Sequence, residues 1–252
     1  MRTRRASRGL LAALAFGLAT ATAHPASIDP DLLRDLDAAA EAKATPEPEA
    51  EPEPAAPDAV QCAVLVYAGT RTSRCFATRF LADMDRQTSV RVRPTFVQVR
   101  ADSSDLYRHP FAVMTGEGAF QLTPTERDNL RHYLENGGFL IASAGCSSRP
   151  WAESFRREIE TIFPGRSMTR LTPEHPVFHT VHAIGAARDR RGQTRFPELY
   201  GIEVDGRLAL IFSADGLNDT ANAGRGCCCC GGNEIRSARE ININILAYAL
   251  TH

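Results

Sequence analysis

Lysine is almost missing from this chain. The only one in 252 residues is Lys43, so the foldable part beyond it cannot form the Schiff base that pyridoxal phosphate requires. Nor can it present a P-loop lysine to a nucleotide. Long apolar runs are also missing. The longest, Leu10 to Leu18, falls short of the roughly 20 residues of a transmembrane helix, and the reading is of a chain with no membrane span. No internal repeat is visible. There is no basic cluster and no aromatic ladder. Setting aside four amino-terminal arginines and the net −8 of residues 24–59 leaves residues 60–252 at +3 in a chain of −1. Nucleic acid is therefore not the expected partner.

What is present begins with an export signal. Arg2, Arg4, Arg5 and Arg8 precede the apolar stretch, and Ala21-Thr22-Ala23 supplies a small-residue cleavage site. This order predicts a signal peptide over residues 1–23 and a product exported to the periplasm or beyond. Thr3-Arg4-Arg5 leaves the twin-arginine route open beside the general one. Residues 24–59 are acidic and rich in Ala, Glu and Pro, as in Pro46-Glu47-Pro48-Glu49, and have nothing to bury. They read as an extended spacer, either a tether to the envelope or a solubilising tail. Residues 60–252 suffice for one domain with its own core.

Within that domain apolar runs alternate with helical periodicity. Cys62 to Ala68 reads as a buried strand, residues 74–86 as a helix, Arg91 to Arg100 as a strand that Pro94 pushes toward an edge, and Phe111 to Thr115 as a strand. Thr123-Pro124 with Glu126 announces a helix through a capping box, and Asn136-Gly137-Gly138 stops it. Phe139 to Ala144 is a strand, and Trp151, Phe155, Ile159 and Ile162 form one face of the next helix. Asp205-Gly206 turns a hairpin between 199–204 and 207–213, and a last helix carries Ile235, Ala238, Ile241, Ile245, Leu246 and Ala249. The sum is an α/β fold: an open, mostly parallel sheet with helices on both faces and a carboxyl-terminal hairpin plus helix.

Several strings along this order carry a resemblance. They are Tyr107…Pro110-Phe111-Ala112-Val113-Met114-Thr115-Gly116-x-Gly118, Leu130-Arg131-His132-Tyr133-Leu134-Glu135-Asn136-Gly137-Gly138-Phe139-Leu140, and Phe155-Arg156-Arg157-Glu158…Phe163-Pro164. His175-Pro176-x-Phe178 and Gly201-Ile202-x-x-x-Gly206-Arg207 follow. Over residues 62–213 the chain resembles the bacterial domain of unknown function 4159. The resemblance implies a flavodoxin-like sheet, similar to the class I glutamine amidotransferase fold, in a family without an established activity.

Ligands of open α/β sheets sit at the carboxyl ends of the strands. Gly69, Gly116, Glu117, Gly118 and Asp215 are expected there as a ligand site, together with Cys75 and Cys146. Cys62 opens its strand and belongs to the far end or the core. The rarest feature is the run Cys227 to Cys230, framed by glycines. Cys227 and Cys230 have CxxC spacing, and Cys146 with Cys75 or Cys228 would complete a tetrahedral zinc or iron–sulfur site. Disulfides securing the 215–232 loop are the equal alternative, and a working thiol is the third. Cys146 sits where amidotransferase-like folds put a nucleophile, yet Ala144-Gly145-Cys146-Ser147-Ser148 lacks the second glycine of an elbow, and no His-x-Glu partner follows. His175, beside Pro176, reads as a loop or capping residue. The expectation is an exported, non-catalytic binding or assembly module whose partner is a small molecule or a protein. The alternative is a cysteine-ligated metal enzyme or a thiol hydrolase.

Overall fold

The computed structural model describes residues 58–69, 71–72, 76–188, 194–219, 235 and 238–252. Its strands are β1 (Ala63–Val66), β2 (Val97–Arg100), β3 (Phe111–Gly116), β4 (Phe139–Ala144), β5 (Thr169–Arg170), β6 (Ala187–Arg188), β7 (Thr194–Arg195), β8 (Tyr200–Val204) and β9 (Arg207–Ser213). Among the described residues the α-helices are α1 (Arg79–Gln87), α2 (Pro124–Glu135), α3 (Arg149–Ile162) and α4 (Ala238–Thr251). Seven strands form one open sheet in the order β2-β1-β3-β4-β9-β8-β5, while β6 and β7 make a separate ribbon. The β2, β1, β3, β4 and β9 neighbours are parallel, and β8 and β5 add antiparallel. Chain order reverses between β1 and β3, the kind of switch point at which open α/β sheets take their ligands.

Helices cover both faces, which explains why β3 and β4 are buried at every position rather than at alternate ones. Ala112, Met114, Leu140 and Ala142 pack with Leu130, Tyr133, Trp151 and Phe155 of α2 and α3. Phe111, Val113, Phe139 and Ile141 pack with Phe80, Met84, Ile241 and Ile245 of α1 and α4. The α2 start is the capping box read from the sequence: Thr123 Oγ1 accepts from Glu126 N, and Glu126 Oε2 accepts from Thr123 N at 2.8 Å.

Three expectations need correction. The 91–100 strand is ladder-paired only from Val97, because the chain bends at Pro94-Thr95 and leaves Val92 in a single bridge to Val60. The helix expected over 74–86 begins at Arg79. The last helix, expected to carry Ile235, begins at Ala238, and it buries two asparagines among its apolar residues: Asn244 Oδ1 accepts from His182 N at 2.7 Å, and Asn242 Nδ2 donates to Leu217 O at 2.8 Å. Each side chain substitutes for a backbone partner of a loop, a role with no hydrophobic periodicity.

Cys62, fully buried at the amino end of β1, behaves as a core residue. Burial pushes its thiol from 9.0 up to about 12. Burial likewise raises Tyr67 to about 12, against the pull of its Trp151 hydrogen bond and the Arg71 charge. The folded state therefore keeps protons that the unfolded chain releases as pH rises past about 9, so stability is full below that pH and falls toward 12. The expected slope from Cys62 is about 1.4 kcal/mol per pH unit. Urea denaturation at pH 8 to 11 checks it: Cys62→Ala should flatten the pH 9–10 limb, and an unchanged limb would exclude Cys62 as its source.

Candidate functional site

The carboxyl edge of the sheet carries four loops joined hand to hand. After β1 the chain turns back on itself, with Tyr67 and Arg71 exchanging backbone hydrogen bonds of 3.0 Å. Ala68 in this turn has φ 45° and Gly69 φ 90°. Ala68 is held there because its N–H donates to Glu126 Oε1 at 2.7 Å. Arg71 Nη1 donates to Glu117 O at 3.3 Å, tying the first loop to the one after β3. That second loop joins the third through Gly118 N, which donates to Ser148 Oγ at 3.0 Å. Ser147 Oγ donates to Asp215 O at 2.5 Å and so reaches the fourth, after β9. Asp215 also pairs with Arg195 at 2.5 Å.

Beneath this crown lies an aromatic floor. Trp151 Nε1 donates to Tyr67 Oη at 2.6 Å, and Tyr67 Oη donates to Thr115 O at 3.1 Å. Gly116 is the residue that admits this contact, since a Cβ there would stand 2.3 Å from Tyr67 Oη. Behind the fourth loop, short polar side chains hold the backbone. Leu217 N donates to Ser143 Oγ at 2.8 Å, and Asn218 Oδ1 accepts from Ala77 N at 3.1 Å.

Cys146 occupies the strand-to-helix turn between β4 and α3. It is half-buried, with φ 50° and ψ 30°, and Ser147 follows at φ 51°. Of the four non-glycine residues with positive φ among the described residues, Ala68, Cys146 and Ser147 lie on this edge, and Asp205 sits in the β8–β9 hairpin turn. Such geometry is costly for a residue with a Cβ and concentrates at functional places.

The expected ligand residues Gly69, Gly116, Glu117, Gly118, Cys146 and Asp215 thus all stand on one edge, and the bonds just described join the loops that carry them. Glu117 is exposed, and no ion pair engages it among the described residues. Cys75, Cys227, Cys228, Cys229 and Cys230 lie outside the described residues. Among those described, no three His, Cys, Asp or Glu side chains gather as a metal site. Sequence reasoning missed Arg71, Ser147, Ser148 and Arg195, and read Glu126 as a helix cap alone. Ser148 had a readable signal, a capping serine two residues before Pro150; its Oγ accepts from Trp151 N at 3.5 Å. The others act through contacts distant in sequence.

The histidines lie elsewhere. His109 and His132 share a cavity of about 330 Å³ with Pro110, Gly137 and Gly138, at the amino ends of β3 and β4. His175 caps a short 3₁₀ turn, accepting from Val177 N, as its sequence context suggested. Its ring meets Tyr248, which stacks on His252 near the end of α4. Helix α4 starts beside the β9 loop and runs back toward the amino edge, so these rings are far along it. His179 binds Pro173 O, and the His182 backbone is bonded to Asn244.

Fold and site together define an α/β protein with an open, mostly parallel sheet and a linked loop crown at its carboxyl edge. The chain belongs to the family described as domain of unknown function 4159 (DUF4159), whose profile matches residues 61–250. No curated protein matches. Among solved structures the chain is similar to a putative ThuA-like protein from Bacteroides uniformis, at 13% identity over 80% of this chain and 96% of that one, with a TM-score of 0.35. Among the described residues no helix is long and apolar enough to cross a membrane.

Proposed function

We propose that this is an exported, non-catalytic binding or assembly module that receives a small ligand or a partner segment at the carboxyl edge of its sheet. The observation that carries the reading is strained backbone gathered on one edge. Ala68, Cys146 and Ser147 all have positive φ there, and the loops that carry them are tied together by the Glu126, Arg71, Ser148 and Ser147 bonds. Strain held in this way concentrates where a fold receives a ligand. The reversal of strand order between β1 and β3 favours the flavodoxin-like version of the fold, with the crevice between these loops as the seat of the ligand. The cysteine run, by this reading, borders the seat as disulfides or as zinc or iron–sulfur ligands, and residues 24–59 hold the domain off the envelope.

One observation favours a second reading, a thiol hydrolase: the left-handed Cys146 at a strand-to-helix turn resembles a nucleophile elbow. Iodoacetamide labelling of the Cys146 peptide between pH 9 and 6, followed by mass spectrometry, separates the two. The binding module is expected to label no faster than glutathione at every pH, or only after reduction or metal removal. Labelling at pH 6 that outruns glutathione about tenfold would establish an activated thiolate and sink the non-catalytic reading. Metal content of the same sample tells ligation from disulfides.

A further inference from the structure

A second cavity, of about 240 Å³, lies between α3 and the segment that leads from it to β5. It is lined by Arg156, Ile159, Glu160, Arg166, Ser167 and Met168. The Arg156 guanidinium stands 4.7 Å from the ring centres of both Tyr200 and Phe212. The rings fix its plane, which removes much of the rotamer freedom an arginine loses on binding. Among the described residues no carboxylate pairs with Arg156, and its N–H groups meet no acceptor.

Arg166 is similarly uncompensated. Its Nη1 donates to Glu203 O at 2.9 Å, a backbone contact without charge. The Glu203 carboxylate cannot serve instead. Its neighbours Ile202 and Val204 enter the α2–α3 face, so Glu203 points to the opposite one, where its charge bears on His175 and Tyr248. Glu160 is the one acid in the lining, and neither arginine forms an ion pair with it among the described residues. Two guanidinium groups against one carboxylate leave the cavity positive. Ile159, buried on α3, and the half-buried Met168 provide an apolar wall.

We infer that this cavity binds a carboxylate carried on a short apolar group. The planar fork of Arg156 takes the oxyanion in two parallel hydrogen bonds, Arg166 adds the second charge, and the apolar stem lies on Ile159 and Met168. Free short-chain acids and the carboxyl terminus of a peptide share this chemistry.

The test is calorimetric titration of the purified protein with hexanoate, acetyl-leucine, hexanol and inorganic phosphate. One saturable site per chain for hexanoate or acetyl-leucine is expected, with hexanol and phosphate weaker. Acetyl-leucine binding tighter than hexanoate identifies a peptide terminus, and the reverse a free acid; either supports the site. Arg166→Gln, an exposed change, and Arg156→Lys, which keeps charge and stem but loses the fork, should each weaken binding about tenfold. Arg108→Gln, at an exposed turn elsewhere, should not. No saturation by either acid up to about 10 mM, hexanol or phosphate binding as well as the acids, or an unchanged affinity in Arg166→Gln would overturn the assignment.

Discussion

Trp151→Ala is expected to lower the unfolding free energy by about 4 kcal/mol, the cost of emptying a buried aromatic site. Trp151 is fully buried. Its ring stacks on Phe155 at 5.3 Å and an interplanar angle of 7°, and lies 5.5 Å from Phe120. Phe155 in turn stacks on Phe212 of β9 at 5.2 Å, so the indole begins a column that joins α3 to the sheet. The Nε1–H group bonds this residue to the turn after β1, through Tyr67 Oη. Trp151→Phe keeps most of the column and removes that donor, and is expected to cost about 1–2 kcal/mol. Urea denaturation followed by far-ultraviolet circular dichroism measures both, since Trp151 is the chain's one tryptophan and fluorescence disappears with it. A loss below about 1 kcal/mol for the alanine variant would mean that the column is not a principal support of the fold.

Glu126→Ala is expected to cost about 3 kcal/mol and to loosen the crown, a combination a simple cap deletion would not produce. Deleting a cap alone costs about 1 kcal/mol. Here one carboxylate holds two backbone donors, Thr123 N at the start of α2 and Ala68 N beyond β1. Both hydrogen bonds are charge-assisted, and losing them leaves Ala68 with no compensation for its positive φ. Glu126→Gln retains one acceptor oxygen and turns an N–H₂ group toward the other donor, so about half the loss is expected. Amide hydrogen exchange supplies the second readout. Protection of residues 67–72 should fall in Glu126→Ala relative to the core of β3, and loss of stability with unchanged local protection would reduce Glu126 to a helix cap.

The sequence was most legible where chemistry is local. Thr123, Pro124 and Glu126 are three neighbours whose geometry follows from their types, and the capping box stands where they place it. The apolar runs of β3 and β4, the Asp205-Gly206 turn and the edge position of β2 after Pro94 follow equally from short-range pattern. The placement of the carboxyl-edge residues came from a topological rule, which needs only strand direction. What the pattern could not disclose was the bonding that holds those loops. Glu126 looks finished as a capping residue, yet its other oxygen holds Ala68, 58 positions away. Asn242 looks like a polar slot on an apolar helix, yet it closes the loop after β9. The start of β2 was misjudged because alternation of Val92, Pro94 and Phe96 mimics a strand through a bend.

The sheet ends, finally, in two borders poorly suited to recruit another chain. On one side β5 offers two residues, Thr169 and Arg170, both exposed. On the other, β2 offers four, approached through a proline bend and closing on Arg100, which is held by Asp102. Short borders carrying arginine leave little ladder for an intruding strand to extend. Among the described residues, fibril-like stacking and edge-to-edge pairing therefore find no long template on this sheet.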